Sequence, residues 1–377
     1  MMSATTQKYL KYSSKRDVLF VLGAGASHPD GVPLQRHILP MLLANDVIRK
    51  SVIGKQVIEF ISDNFAYDKE KRLYPQLEAV FGFLDYFIAQ NESLNSKYTN
   101  QHIIQTKEYL IKLIHYIVNL NTDGKSKAYH QFWEKISSRT NNFSLITLNY
   151  DTLLEQSFDF LYKKFGYLDY CFHLMNFDKH DELKPYNFWI NPREPIEVDG
   201  NESPVPIKIL KLHGSLTWKY CRCCNQTLLT PWDREVDLNR GTYTGYTYPD
   251  KTKYDIVCPQ DGTDFQTLIL MPSYVKPLTQ HVISQLMSEA SREIRSAKRI
   301  VFIGYSLSNA DLHIRALFKK HLTKDVEVIV VNTKKTDEFK LKYYSLADNV
   351  KFIHSSFEDF LHNDNLISEV IGKPGDA

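Results

Sequence analysis

Apolar positions along the chain follow two rhythms. Short unbroken runs bounded by turn residues occur at Val18–Leu22, Phe143–Leu148, Ile207–Leu212, Arg299–Ile303, Val326–Val331 and Val350–Ile353. Runs of this length have the character of strands buried on both faces of a parallel sheet. Between them the apolar spacing changes to a period near 3.6. One helical stretch follows Asp151 (Leu153, Leu154, Phe158, Leu161), a second follows Asn309 (Leu312, Ile314, Leu317, Phe318), and a third follows Phe357. Strands alternating with helices predict βαβ units, hence an α/β fold with a Rossmann-like parallel sheet.

Two segments break this rhythm. Residues 34–135 are helical in pattern, with Leu77, Val80, Phe81, Leu84, Phe87 and Ile88 on one face. That is too much helix for one crossover, so the segment reads as a helical insertion. Residues 218–264 are rich in Thr, Tyr, Gly, Asp and Cys without a long period, and read as a small irregular cysteine-containing module. The expected organisation is a single domain over 1–377 carrying both segments.

Composition narrows the function classes. Lys plus Arg is 46 and Asp plus Glu is 44, a formal net charge of +2, so no basic field points to nucleic acid. No apolar run approaches the ~20 residues that span a bilayer. Five cysteines, four of them in one stretch, argue against a secreted disulfide scaffold and for a reducing cytoplasm.

The candidate chemistry gathers where the strands end. The first run stops at Gly23-Ala24-Gly25-Ala26-Ser27, where glycine permits close approach of a phosphate to free backbone N–H groups, and a following helix N-terminus adds positive potential. A tight βα turn without a ligand has the same sequence. A dehydrogenase fingerprint fits poorly, because His28 holds the third glycine position and Asp46 falls in a helical pattern. The next run ends in Asn149-Tyr150-Asp151, where an amide both donates and accepts hydrogen bonds, although Asp151 also suits a helix cap. Then come His213-Gly214, placed for a general base, Gly304-Tyr305-Ser306-Leu307-Ser308, and Asn332. Asp311 reaches the crevice or caps its helix; His281, His313 and His321 read as surface or packing residues. Five strands ending in small or polar residues at one sheet edge make a nucleotide crevice. Cys221-x-x-Cys224 has zinc-ribbon spacing, but its second half offers Cys258 and then Asp261 in place of a fourth cysteine. Structural zinc and a ribbon that no longer binds metal both remain open.

Taken in order, Gly23 to Ser27, Gly31-Val32-Pro33, Pro75 with Glu78 and Asp85, Asn149 to Asp151, His213-Gly214, Gly304 to Ser308 and Asn332 resemble the sirtuin-like superfamily, and its bacterial NAD-degrading defence branch more than its protein deacylases. The resemblance implies that residues 23–27 bind the NAD+ diphosphate and nearby ribose. It implies that Asn149 and Asp151 hold the nicotinamide ribose and the nucleophile or carboxamide, and that His213 is the catalytic base. Gly304, Ser306, Leu307 and Asn332 would hold the phosphate and adenosine end, with Pro33 and Arg36 also in the cofactor site. The deacylase Asp and Phe are replaced by Leu34 and Gln35. Any zinc, at Cys221, Cys224 and Cys258, would be structural.

The activity so implied is hydrolysis of NAD+ to nicotinamide and ADP-ribose in antiphage defence. The deacylase Phe-Gly-Glu is absent from Leu268–Tyr274, which places deacylation second. A non-catalytic NAD or ADP-ribose sensor is the alternative of another class. A freely active hydrolase would harm its host, so control by homo-oligomerisation or by a partner such as a HerA-type ATPase is expected.

Overall fold

The computed structural model describes residues 5–68, 70–122, 125–175, 189–199, 203–230, 235–246, 250, 252–273, 278 and 280–372. Tyr274, at the end of the segment compared with the deacylases, lies outside them. The chain forms two compact units. The first comprises Met1–Gly31, Gly124–Gly214 and Leu278–Ala377, and the second Val32–Asp123 and Ser215–Pro277.

The first unit is built on eight parallel strands: β1 (Arg16–Leu22), β2 (Phe143–Thr147), β3 (Gly166–Asp169), β4 (Trp189–Ile190), β5 (Val205–Lys211), β6 (Ala297–Ile303), β7 (Glu327–Val331) and β8 (Val350–Ile353). Their order across the sheet is β8-β7-β6-β1-β2-β5-β3-β4. All six apolar runs are strands, within two residues of the expected ends. Leu19, Phe20, Leu145, Ile146, Ile209, Leu210 and Val301 are fully buried, as a sheet covered on both faces requires. Helix His281–Ser296 packs on β1, β5 and β6, and helix Lys127–Ser137 sets Phe132 edge-on to Phe20, ring centroids 5.3 Å apart.

Sequence patterning did not show β3 and β4. They are short and lie at the sheet edge, and Gly166 and Asp169 break the apolar run. The antiparallel ribbon of Thr5–Lys8 with Ile196–Asp199 was also unforeseen. The helix expected after Asp151 is only Leu153–Gln156 followed by a 3-10 turn at Asp159–Leu161. Ser157 turns its hydroxyl back to the Leu153 carbonyl at 2.8 Å, and Lys163 adopts a left-handed φ of 61°. Such local side-chain bonding competes with continuation of a short helix.

The chain leaves β1 for β2 on one side and later enters β6 on the other, so strand order reverses between β1 and β6. In open parallel sheets such a reversal is where a ligand crevice forms, outside the carboxyl ends of the strands. Register makes those ends level. Leu22 pairs with Thr147 and Ile303, Thr147 with Lys211, and Val331 with Ile303 and Ile353.

At the reversal two loops touch backbone to backbone. Gly23 N–H donates to the Ile303 carbonyl at 3.0 Å and Gly25 N–H to the Gly304 carbonyl at 2.9 Å. A Cβ on Gly23 would lie 2.5 Å from Tyr305 Cα, and one on Gly25 would lie 2.8 Å from Gly304 O. The glycines are therefore needed to let two chains pass. The expected free N–H cradle is corrected accordingly, since Ala26 N–H is also engaged, by Gly23 O at 2.9 Å. The helix that follows is the single turn Ala24–Ser27, succeeded by a 3-10 turn containing Pro29 and by Gly31 at φ 90°.

The second unit holds helices Gln35–Ala44, Asp46–Lys50, Val52–Asn64, Leu77–Gln90 and Asn100–Leu120. It also contains a three-stranded antiparallel sheet of Glu235–Asp237, Thr242–Tyr246 and Lys253–Asp255, and a sheet in which Gly214–Tyr220 lies between Gln266–Ile269 and Thr227–Leu229. The segment read as irregular thus carries several strands, each too short to show period, joined by turns and loops. Most of the 34–135 segment lies in this unit, whereas Lys127–Ser137 belongs to the first. Leu77, Val80, Phe81 and Leu84 are buried as their spacing predicts, Glu78 is a first-turn carboxylate, and Asp85 pairs with Lys107 at 2.5 Å.

Two measurements test this architecture. Gly304 has φ +63°, and a Cβ there would lie 2.5 Å from Ala26 N. Gly304→Ala is expected to cost about 2–4 kcal/mol in urea unfolding, since left-handed strain and a backbone clash add. At the carboxyl end of β3, opposite Lys208 of β5, Asp169 accepts from Tyr12 OH and from Cys171 N–H, and burial lifts its pKa from 3.8 to about 6. The folded protein then holds this proton more tightly than the unfolded chain. Stability contributed by the protonated group is present below pH 3.8 and is lost as pH rises to about 6. Asp169→Asn is expected to remove a fall of at most about 3 kcal/mol across that window.

Candidate functional site

The crevice residues of the first unit stand at fixed heights above the level strand ends. Gly23, Gly304 and Asn332 lie one residue past Leu22, Ile303 and Val331; Asn149 and His213 lie two residues past Thr147 and Lys211. The ladder continues through them, with Leu148 N–H on Leu22 O, Leu212 N–H on Thr147 O, Gly304 N–H on Val331 O and Asn332 N–H on Ile353 O. Because β2 and β5 are neighbours, Asn149 and His213 occupy matching positions at the same edge of the sheet.

Asn149 is 8% exposed and firmly oriented. Its Nδ2 donates to Gly23 O at 2.9 Å and to Ser27 Oγ at 2.9 Å, and lies 3.4 Å from Tyr129 OH. Ser27 and Tyr129 hydroxyls are themselves 2.8 Å apart. Two donors are thereby spent inward, and the amide oxygen is the group left for a ligand. Tyr129 escaped sequence reasoning because it lies in the segment read as an insertion. Its helix begins at Ser126, whose Oγ accepts from Tyr129 N–H. Burial, and then the nearby Asp151 carboxylate, hold the Tyr129 phenol well above its ordinary pKa, so it stays neutral.

Asp151 stands one residue before the cap position of the Leu153–Gln156 helix, which Thr152 holds, so the expected helix cap is corrected to an Asx turn leading into it. Its Oδ1 accepts from Leu153 N–H at 3.2 Å. Burial raises its pKa, while the Lys211 ammonium works in the opposite direction. Lys211 donates to the Asp151 carbonyl at 2.6 Å and pairs with Glu155 at 2.9 Å, both side chains being almost wholly buried. This ion pair fixes the β2 and β5 tips from below.

His213 is 7% exposed. Its Nε2 lies 3.2 Å from His313 Nε2 and 3.5 Å from Asp311 Oδ1, while Tyr305 OH donates to Asp311 Oδ2 at 3.0 Å. His313, read from sequence as a surface or packing residue, instead stands against His213. The only available signal was the Asp311-x-His313 spacing at a helix start.

The loop after β6 is held from behind. Asn332 Nδ2 donates to Tyr305 O at 3.1 Å, its Oδ1 accepts from Lys334 N–H at 3.0 Å, and Tyr343 OH donates to Tyr305 O at 2.8 Å. Asn332 therefore buttresses the loop through its NH2 while its oxygen fixes its own turn at Lys334. Leu307 is fully buried at φ 51°, and Ser306 is half-buried.

The remaining candidates belong to the second unit. Pro33 is buried. Arg36 is exposed on helix Gln35–Ala44, and its Nε donates to His37 Nε2 at 3.1 Å. Cys221, Cys224, Cys258 and Asp261 bring four ligand atoms within 4.8 Å of one another. Cys224 and Cys258 sulfurs are 3.8 Å apart, and Cys221 Sγ is 3.2 Å from Asp261 Oδ2. A tetrahedron with zinc–sulfur bonds of about 2.3 Å has sulfur–sulfur edges of about 3.8 Å, so the donor set fits zinc.

Among solved structures the chain is similar to a Sir2 homologue–NAD complex, at 14% identity over 97% of this chain and 96% of that one, TM-score 0.44. It is similar to a Sir2 homologue mutant in complex with 2′-O-acetyl ADP ribose, at 15% identity over 95% and 93%, TM-score 0.45. It is also similar to Sir2Tm bound to a propionylated peptide, at 13% identity over 95% of each chain, TM-score 0.41. No curated protein matches the sequence. The SIR2-like domain matches residues 144–353, more than half of the chain and the stretch that carries Asn149, His213, Gly304 and Asn332; the chain belongs to the SIR2-like domain family.

Proposed function

We propose that this protein hydrolyses NAD+ at the nicotinamide–ribose bond, releasing nicotinamide and ADP-ribose. The observation that carries the reading is the pairing of Asn149 and His213 at matching heights on adjacent strand tips, beside the reversal where a dinucleotide binds. Family membership supports NAD+ as the substrate.

The mechanism follows from the bond. The nicotinamide nitrogen is cationic, so it leaves as a neutral base once positive charge spreads onto the ribose ring. Water adds to C1′ as the C1′–N bond breaks and its electron pair returns to the pyridine ring. The proton lost from water passes to His213. Asn149, its NH2 committed to Gly23 and Ser27, presents Oδ1 as an acceptor that orients the water. The Gly23–Ser27 turn, with Gly304 and Ser306 across the reversal, forms the wall for the diphosphate and adenosine, and buried Leu307 and Asn332 hold that loop in place behind it. Asp151 serves by fixing the strand tip.

In the second unit, Cys221, Cys224, Cys258 and Asp261 would hold a structural zinc that pins Gly214–Tyr220 to the Cys258 turn. Zinc supplies no chemistry to the reaction there.

The bacterial antiphage role belongs to the same proposal and rests on the order of motifs from Gly23 to Asn332. Control by self-association or by a HerA-type ATPase would restrain a toxic activity. Deacylation is the competing reaction at the same ribose, and its mark is O-acyl-ADP-ribose formed from an acyl-lysine peptide. A sensor would bind ADP-ribose without turnover.

Chromatographic assay of nicotinamide release tests the reading. His213→Ala and Asn149→Ala are each expected to lower kcat by about 10²–10⁴-fold. Undiminished turnover in both would remove them from the reaction. Tyr129→Phe, which takes one partner from behind Asn149, is expected to lower kcat by about fivefold with little change in KM. Elemental analysis is expected to find one tightly held zinc per chain, lost in Cys258→Ser.

A further inference from the structure

The proposed base does not stand alone. His213 Nε2, His313 Nε2 and Asp311 Oδ1 form a compact three-atom cluster within the first unit, all within 4.8 Å of one another. The 3.2 Å and 3.5 Å separations from His213 bracket the spacing of about 3.3 Å between neighbouring ligands around a tetrahedral ion with bonds of about 2.0–2.1 Å. We propose that these three side chains form a binding site for zinc or a similar late first-row divalent ion, and that the ion switches the hydrolase off.

The ligand set and its support favour such an ion. Two imidazoles and one carboxylate select zinc and its neighbours over magnesium or calcium. Each ligand is seated on regular structure. His213 follows β5, and Asp311 and His313 open helix Leu312–His321, with Ile314 and Arg315 N–H groups on the Asp311 carbonyl. Tyr305 OH holds Asp311 Oδ2 and leaves Oδ1 turned to the imidazoles, the outer-sphere bond that orients a ligating carboxylate. Asp311 and His213 are buried, whereas His313 is half-buried and gives the ion a way in. Three protein ligands leave a fourth position for water.

The regulatory half rests on the hydrolase reading. Coordination uses the Nε2 lone pair of His213, the same pair that would accept the proton from water. An ion on that nitrogen and a proton on it exclude each other. The competing account is an imidazole–imidazole hydrogen bond with no affinity for metal.

The test uses the full chain with its cysteine site already filled by one equivalent of zinc. Equilibrium dialysis against radioactive zinc is expected to show a second ion on the wild type. His313→Ala and the more conservative His313→Gln, each checked for fold by circular dichroism, should weaken that uptake at least tenfold while the first zinc stays. In the nicotinamide assay, zinc should inhibit the wild type reversibly on chelation. The half-inhibitory concentration should rise at least tenfold in His313→Gln, each variant compared with its own zinc-free rate. Equal second-site affinity in wild type and both variants overturns the site. A second ion bound with an unchanged or faster rate overturns the inhibition. A protein that releases no nicotinamide under any condition, yet binds the second ion through His313, overturns the hydrolase reading and leaves the site standing.

Discussion

The contact between the Gly23–Ser27 turn and the Gly304 loop is the constraint on which the first unit depends. Here two strand ends that belong to opposite halves of the sheet approach until backbone meets backbone, with Gly25 N–H on Gly304 O. Any side chain at Gly23, Gly25 or Gly304 would force the halves apart. The crevice, the orientation of Asn149 through Gly23 O, and the placing of Tyr305 above Asp311 all follow from this one approach. Parallel strands supply level ends, and the two glycine loops decide what can stand on them.

Much of this was legible in the chain itself. The six apolar runs mark six adjoining strands, from β8 at one edge to β5, and the inner ones are continuous apolar sequence because a parallel sheet buried on both faces needs it. The polar residues beyond those runs mark the candidate site, since Asn149 and His213 stand two residues past strands that are closed to water. What stayed hidden was of two kinds. The edge strands β3 and β4 are too short to carry a period, and the same holds for the strands around the cysteines. Partnership across long separations is the other kind. Nothing in the spacing of Tyr129 announces Asn149, and nothing in His313 announces His213, because a helix start and a strand end meet only once the sheet exists. The glycines illustrate a subtler gap. Their presence at a strand tip was plain, but the sequence alone does not tell a ligand's approach from a neighbouring loop's.

Buried charge has a supporting role on both sides of the sheet's level edge. Lys211 and Glu155 sit beneath the Asn149 turn, and Lys208 and Arg16 share Glu293 near the other end of the strands, Lys208 reaching Glu289 as well. Ion pairs taken from water contribute little net stability against apolar replacements of the same shape, but they fix geometry, because a side chain moved out of place leaves an uncompensated charge. The Lys211 pair therefore reads as a device for holding a strand tip still.

The seam between β1 and β6 joins residues near position 20 to residues near position 300. On a ribosome, β1 emerges long before its partner has been made, and it waits with one edge open through the synthesis of both excursions into the second unit. Contacts so distant in sequence form late and slowly. A nascent or prematurely terminated chain that stops short of Gly304 has one wall of the crevice and no other. A protein of this topology becomes competent only once its chain has been made past Gly304.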